Sequence, residues 1–167
     1  MGIQEIESLG SLAELGPAWR TLLENACTNT VFQTYEWVSS WWEVYGKGHR
    51  MCVLTLREGD EIRGIAPLML RNYRIFKRLT LIGGHRADYS DFIVHKERPQ
   101  DYQALVSHMV FAMKFHDEVM LENVPETSPL LHALEEHSRR FIIKKEGIDT
   151  CPYLTLGEQT EEILRKI

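Results

Sequence analysis

The chain has 167 residues, 44% of them hydrophobic and 26% charged, with a formal net charge of -5 and a pI near 5.8. That length and balance suit one domain with a proper core, and the acidic excess argues against a partner held mainly by phosphate neutralisation, which excludes nucleic acid as the expected ligand. Its three cysteines, Cys27, Cys52 and Cys151, form no C-x-x-C pair, and fit reduced cytoplasmic packing thiols better than a disulfide frame or a zinc site.

The amino terminus, Met1 to Glu7, carries acids where a secretory signal needs a basic and then an apolar run. No apolar run approaches the roughly 20 residues of a membrane span. The expectation is a soluble cytoplasmic protein without a span.

In chain order, Ser11 is a candidate cap for a first helix over 11–26, on which Leu12, Leu15, Trp19, Leu22 and Leu23 recur at helical spacing and Gly16-Pro17 is placed to break or restart it. Thr34 caps a second helix whose Trp37, Val38, Trp41, Trp42 and Tyr45 form one broad apolar stripe, closed by Gly46-Lys47-Gly48. Met51 to Leu56 reads as a strand, Glu58-Gly59-Asp60 as a turn, and Ile62 to Leu70 as its antiparallel partner, with Pro67 forcing an edge or a bulge. The basic run from Arg71 to Arg78 reads as a solvated hairpin or loop between strands, with an anion or nucleic-acid site as the alternative. Leu79 to Ile82 gives a third strand ending in Gly83-Gly84, and Asp91 to Val94 a short fourth.

Pro99 opens a helix carrying Tyr102, Leu105, Val106, Met109, Val110 and Met113. Glu118 to Val124 is a strand, Ser128-Pro129 caps a helix with Leu130, Leu131 and Leu134 on its buried face, and Phe141 to Lys145 is a last strand. The order predicts an α/β (α+β) chain with a mixed sheet, antiparallel first and partly parallel later. Residues 1–146 form the domain, and 147–167 read as a connector followed by the start of a helix.

The polar residues with most chemical promise are His85, Asp88, Tyr89 and Asp91, in the loop that Gly83-Gly84 opens. Short acids beside a phenol and an imidazole can orient an amine, a hydroxyl or a sugar, and His85 or an aspartate suits a proton acceptor for an attacking amine. The same residue types also populate turns for local hydrogen bonding. A metal reading, His85-x-x-Asp88-x-x-Asp91, has suitable ligand types without a second ligand cluster. Gln33 and Trp37, at the start of the second helix, are further candidates for substrate binding. Gln33 also suits a cap, and Trp37 the core.

Phe32 to Trp37 (F-Q-T-x-E-W) at the second helix resembles the opening of the FemAB-type acyltransferases. Gly64 to Leu68, Leu81 to Gly84, Asp88 to Asp91 and Cys151 to Leu156 resemble the CelD-like branch of the GNAT superfamily, loosely associated with cellulose or polysaccharide biosynthesis. The resemblance implies a GNAT-like mixed sheet flanked by helices, as the amino-terminal domain of a tandem pair whose second domain holds acyl-CoA. It also implies a small-molecule acceptor, and a second GNAT-like domain or a homo-oligomer as partner. The residues themselves agree: no Gln or Arg in the chain is followed by a glycine three positions later, so the Gln/Arg-x-x-Gly-x-Gly/Ala turn that would cradle a pyrophosphate on backbone amides is absent. The expected role is to shape the acceptor pocket of an N-acyltransferase in cell-envelope or polysaccharide metabolism. In this reading acyl-CoA and catalysis belong to the missing second domain. The alternative is a non-catalytic module that docks a partner domain.

Overall fold

The computed structural model describes residues 1–137 and 142–147. Its elements are β1 (Gly2–Ile6), α1 (Leu9–Glu24), α2 (Tyr35–Tyr45), β2 (Arg50–Met51), β3 (Val53–Glu58), β4 (Glu61–Ala66), β5 (Leu68–Asn72), β6 (Lys77–Leu81), β7 (Ile93–Val94), α3 (Asp101–Phe111), β8 (Glu118–Met120) and α4 (Pro129–Glu135). This is the mixed α/β architecture expected.

The strands form two four-stranded sheets, β1-β3-β4-β7 and β2-β5-β6-β8. They are the two ends of one bent hairpin. β3 pairs with β4 through the Gly59 turn, where φ is +60°. The same two chain segments continue past Cys52 and Pro67 as β2 and β5, paired in the second sheet. At the bend the Cys52 amide still donates to the Leu68 carbonyl at 2.9 Å, and the Ile82 amide to the Pro67 carbonyl at 2.8 Å. The single strand expected over 62–70 is therefore two strands. Pro67, which has no amide to give, marks where the chain changes sheet.

Among the described residues every strand pairing is antiparallel except β6 with β8, which is parallel. Alternation along each strand sends Met51, Val53, Ile65, Met69 and Ile93 to one core with Leu12, Trp19, Val38 and Trp41, and Leu54, Ala66, Leu68, Leu70, Leu79 and Leu81 to a second core with Tyr102, Leu105, Met109 and Leu130. The sheets are thus covered by α1 and α2 on one face and by α3 and α4 on the other.

Several local expectations shift. The first helix starts at Leu9, capped by Ser8 and not Ser11, and runs unbroken through Pro17. Pro17 is tolerated because it lies on the exposed face, where the carbonyl it leaves unbonded meets water. β1 pairs with β3 from Gly2↔Arg57 to Ile6↔Val53, and nothing in the short run Gly2 to Ile6 announces it. Thr34 does cap α2, accepting from the Trp37 amide, and Ser128 caps α4 with Pro129 in its first turn. Residues 142–147 take no regular structure, so the final strand is not formed over Ile142 to Lys145. Phe141, Cys151 to Leu156 and the helix expected from Glu158 lie outside the described residues.

Candidate functional site

The parallel pairing of β6 and β8 ends at Thr80↔Met120, and residues 83–91, which follow β6, are bonded to Asn123, which follows β8. The Ser90 amide donates to the Asn123 carbonyl at 2.9 Å, and the Asn123 side-chain amide donates back to the Ala87 carbonyl at 2.7 Å. Asn123 itself sits at φ +56°, a conformation asparagine tolerates better than most residues. Gly83 at φ +111° and Gly84 at φ +51° turn the chain into this path.

Within that segment the four candidate side chains do not converge. His85 and Asp88 are exposed, Tyr89 is half-buried, and Asp91 is buried. Asp91 faces the interior. Its carboxylate accepts from the Phe92 amide at 2.7 Å, from the Thr28 hydroxyl at 3.0 Å and from the Tyr102 phenol at 3.4 Å. Burial pushes its pKa up to about 6, against the opposing pull of hydrogen bonds from Ser128, Thr28, Phe92 and Tyr102. The Tyr102 phenol, whose single proton is shared between Asp91 and the Phe92 carbonyl at 3.1 Å, is raised by burial and by the facing Asp91.

Gln33 joins this cluster. Its side-chain amide donates to the Thr28 hydroxyl at 2.9 Å, while its side-chain oxygen accepts from the Thr30 amide at 3.1 Å and the Thr30 hydroxyl at 3.2 Å. Its backbone carbonyl takes the Trp19 indole N–H at 2.8 Å. Gln33 and Asp91 are thereby linked through Thr28. They line a crevice with Phe32, Pro67, Leu81, Ile82 and Ser90 that is too narrow to hold a water molecule. Trp37 stands outside the chain of bonds, half-buried, with Phe32 set edge-on at 5.2 Å between ring centres.

Thr28, Tyr102 and Ser128 were absent from the sequence candidates. Thr28 reads as linker, Ser128 as cap and Tyr102 as one more apolar position of a helix stripe. The available signal is the phenol in that stripe, because a buried tyrosine hydroxyl needs a partner. Cys27, half-buried beside the cluster, has a thiol raised by burial and by Asp91. Cys52 is pushed up to about 11. Neither thiol is activated as a nucleophile.

The chemistry divides accordingly. Asp91 sits where a proton can be held near neutral pH, but behind bonded side chains; His85 and Asp88 are open to a solute yet make no shared pocket with it. Among the described residues no three His, Cys, Asp or Glu side chains are placed to share a metal ion, and no helix is long and apolar enough to cross a membrane.

No family profile matches the chain and no curated protein does. Solved structures do. The ribosomal-protein-alanine N-acetyltransferase from Brucella melitensis biovar Abortus 2308 superposes with a TM-score of 0.50 at 9% identity, over 92% of this chain and 100% of that one. An aminoglycoside acetyltransferase from an uncultured soil metagenomic sample gives 0.49 at 12% identity, over 92% and 96% of the two chains. The glucosamine-6-phosphate N-acetyltransferase from Arabidopsis thaliana gives 0.45 at 13% identity, over 93% and 100%. At such identities the likeness is one of fold, and it rests on the first structure: the chain has the α/β fold of a GNAT-type N-acetyltransferase.

Proposed function

We propose that this chain is the amino-terminal, acceptor-shaping half of a CelD-like or FemAB-like GNAT-type N-acyltransferase of cell-envelope or polysaccharide metabolism, working in the cytoplasm with acyl-CoA held by a second GNAT-like domain. The observation that carries the reading is the fastening of residues 83–91 to Asn123 beyond the paired ends of β6 and β8. Open α/β sheets take their ligands outside the carboxyl ends of parallel strands, where the chain direction changes. Here that place is taken by residues 83–91, fastened to Asn123 at both the backbone and the side chain. An N-acetyltransferase fold closed at this point suits a supporting role more than thioester binding.

His85 and Asp88 are exposed on the outer side of the same segment, where an acceptor amine or hydroxyl could reach them, and Tyr89, Gln33 and Trp37 surround or brace it. Calorimetry with acetyl-CoA tests the division of labour. The expected result for this chain alone is no heat of binding, and a stoichiometric site would overturn it.

An open groove favours a second reading, the docking module. A space of about 480 Å³ lies between β1 and α3, lined by Met1, Ile3, Leu56, Ala104, His108 and Phe111 among others. Binding to a separately expressed second domain, with no acceptor effect of Asp88→Asn in the two together, would favour that module over the acceptor-shaping role.

A further inference from the structure

Tight hairpin tips ordinarily use Gly, Asn or Asp, residues that suit the turn itself. The hairpin between β5 and β6 does not. Asn72 and Lys77 close its ladder, the Tyr73 amide donates to the Phe76 carbonyl at 2.9 Å, and Arg74 and Ile75 make the tip, neither of them at positive φ. Ile75 is 91% exposed and Tyr73 41%. Neither turn chemistry nor packing accounts for a β-branched apolar side chain at that point.

The tip is braced from behind. Tyr73 and Phe76 stack with ring centres 4.6 Å apart, and the Arg78 guanidinium lies 5.4 Å and 5.3 Å from those centres while its Nε donates to Glu118 at 2.7 Å. The Lys77 amide donates to the Asp117 carboxylate at 2.8 Å, and Glu122 shares the space over Gly84 with Arg71. The acids near this hairpin are thus engaged along its stem. The side chains of Arg74 and Lys77 are exposed, and no carboxylate holds either one among the described residues.

An exposed apolar apex, an aromatic pair and two unpaired cations on one narrow tip fit the boundary of an anionic bilayer. Isoleucine gains by leaving water, tyrosine suits the headgroup level, and Lys and Arg are drawn to the negative surface while their long stems let the tip go deeper than the charges. Nucleic acid fits less well, because two cations on a chain of net charge -5 neutralise few phosphates. A protein partner fits less well too, since a four-residue tip offers far less than the roughly 800 Å² per partner of a stable interface. We propose that the 73–77 tip docks the chain reversibly on an anionic lipid surface, with Ile75 entering the acyl boundary and Arg74 and Lys77 among the headgroup phosphates. The tip precedes β6 and residues 83–91 follow it, so the two surfaces lie at opposite ends of that strand. This goes beyond the acyltransferase reading and does not depend on it.

The test is sedimentation of the whole chain with vesicles of phosphatidylcholine alone and of an equal mixture of phosphatidylcholine and phosphatidylserine. The mixed vesicles are expected to bind at least about 10-fold more tightly, each cation near the surface being worth about 5-fold, and added salt should narrow the difference. Ile75→Ser should weaken binding to the mixed vesicles by at least about 10-fold. Arg74→Gln with Lys77→Gln should abolish the preference between the two vesicles. Thermal unfolding of these variants should match that of the unaltered chain and reports the fold. Absence of sedimentation, equal binding to both vesicles, or full binding by Ile75→Ser would overturn the proposal. So would binding of single-stranded RNA, or a dimer that Ile75→Ser dissociates, in a chain that ignores both vesicles. If a variant unfolds early, the ranking of the two vesicles and its salt dependence on the unaltered chain decide.

Discussion

Two clusters of buried polar groups lie near the seam where the bent hairpin passes from one sheet to the other, and they are opposites. On the α3 side, Asp91, Thr28, Gln33, Tyr102 and Thr30 bond to one another and to backbone, each with a named partner. On the α2 side, Trp37, Trp41, Arg71 and Thr80 present buried atoms with none among the described residues. The first cluster is closed: its acids and hydroxyls spend their bonding capacity holding the 83–91 segment, the Thr28 linker and α3 together. The second is unsatisfied: its buried donors have no partner among the described residues. Buried polarity by itself therefore does not mark a site.

Changes at the two tryptophans should separate the closed cluster from the unsatisfied one most strongly. Trp19→Ala should cost about 3 to 5 kcal/mol through the cavity, and about 1 to 3 kcal/mol more for the Gln33 carbonyl left without its donor. Trp41→Ala should show the cavity cost alone. Equal losses in urea unfolding would erase the distinction.

Asp91 gives a pH signature for the closed side. Below the ordinary carboxylate value of 3.8 both folded and unfolded chains hold its proton; between there and about 6 the folded chain alone holds it. Stability from this group therefore falls as pH rises through that window, by about 3 kcal/mol. Asp91→Asn should remove the dependence, so that the variant gains on the unaltered chain by that amount between pH 4 and pH 7. A constant difference in urea midpoints across the range would show that Asp91 is not desolvated as described.

Thr28→Val sharpens the comparison one step further. It deletes the donor to Asp91 and the acceptor for Gln33 together, with an expected cost of about 1 to 3 kcal/mol by thermal unfolding, whereas Thr28→Ser should keep most of it. The smallest effect belongs to the exposed loop. Asp88→Asn should change stability by no more than about 0.5 kcal/mol, and in a protein that also carries the acyl-CoA domain it should lower kcat/KM for the acceptor. A marked loss of stability would make Asp88 part of the framework and remove it from the acceptor surface.

Much of the fold is legible in the chain because its cues are local. Thr34 before the tryptophan stripe, Glu58-Gly59-Asp60 between two apolar runs, and Ser128-Pro129 before a leucine face each act within a few residues, and each forms as read. β1 escapes because five residues have no period of their own and become a strand only against β3. The break of the long strand at Pro67 is half legible: the proline announces a missing donor, but which sheet each half joins depends on partners far along the chain.

The site divides along the same line. Sequence by itself determined that His85, Asp88, Tyr89 and Asp91 share a glycine-opened loop after an apolar strand, and that no glycine-rich pyrophosphate turn is present. Only the tertiary structure decided that Asp91 turns inward to Thr28 and Tyr102 while His85 and Asp88 stay outside, and that Arg71, read from sequence as part of a solvated hairpin or loop, comes to face Gly84. Direction and pairing of a side chain depend on which distant strand or helix lies opposite, and that is fixed by packing across the two cores and not by neighbours in the chain.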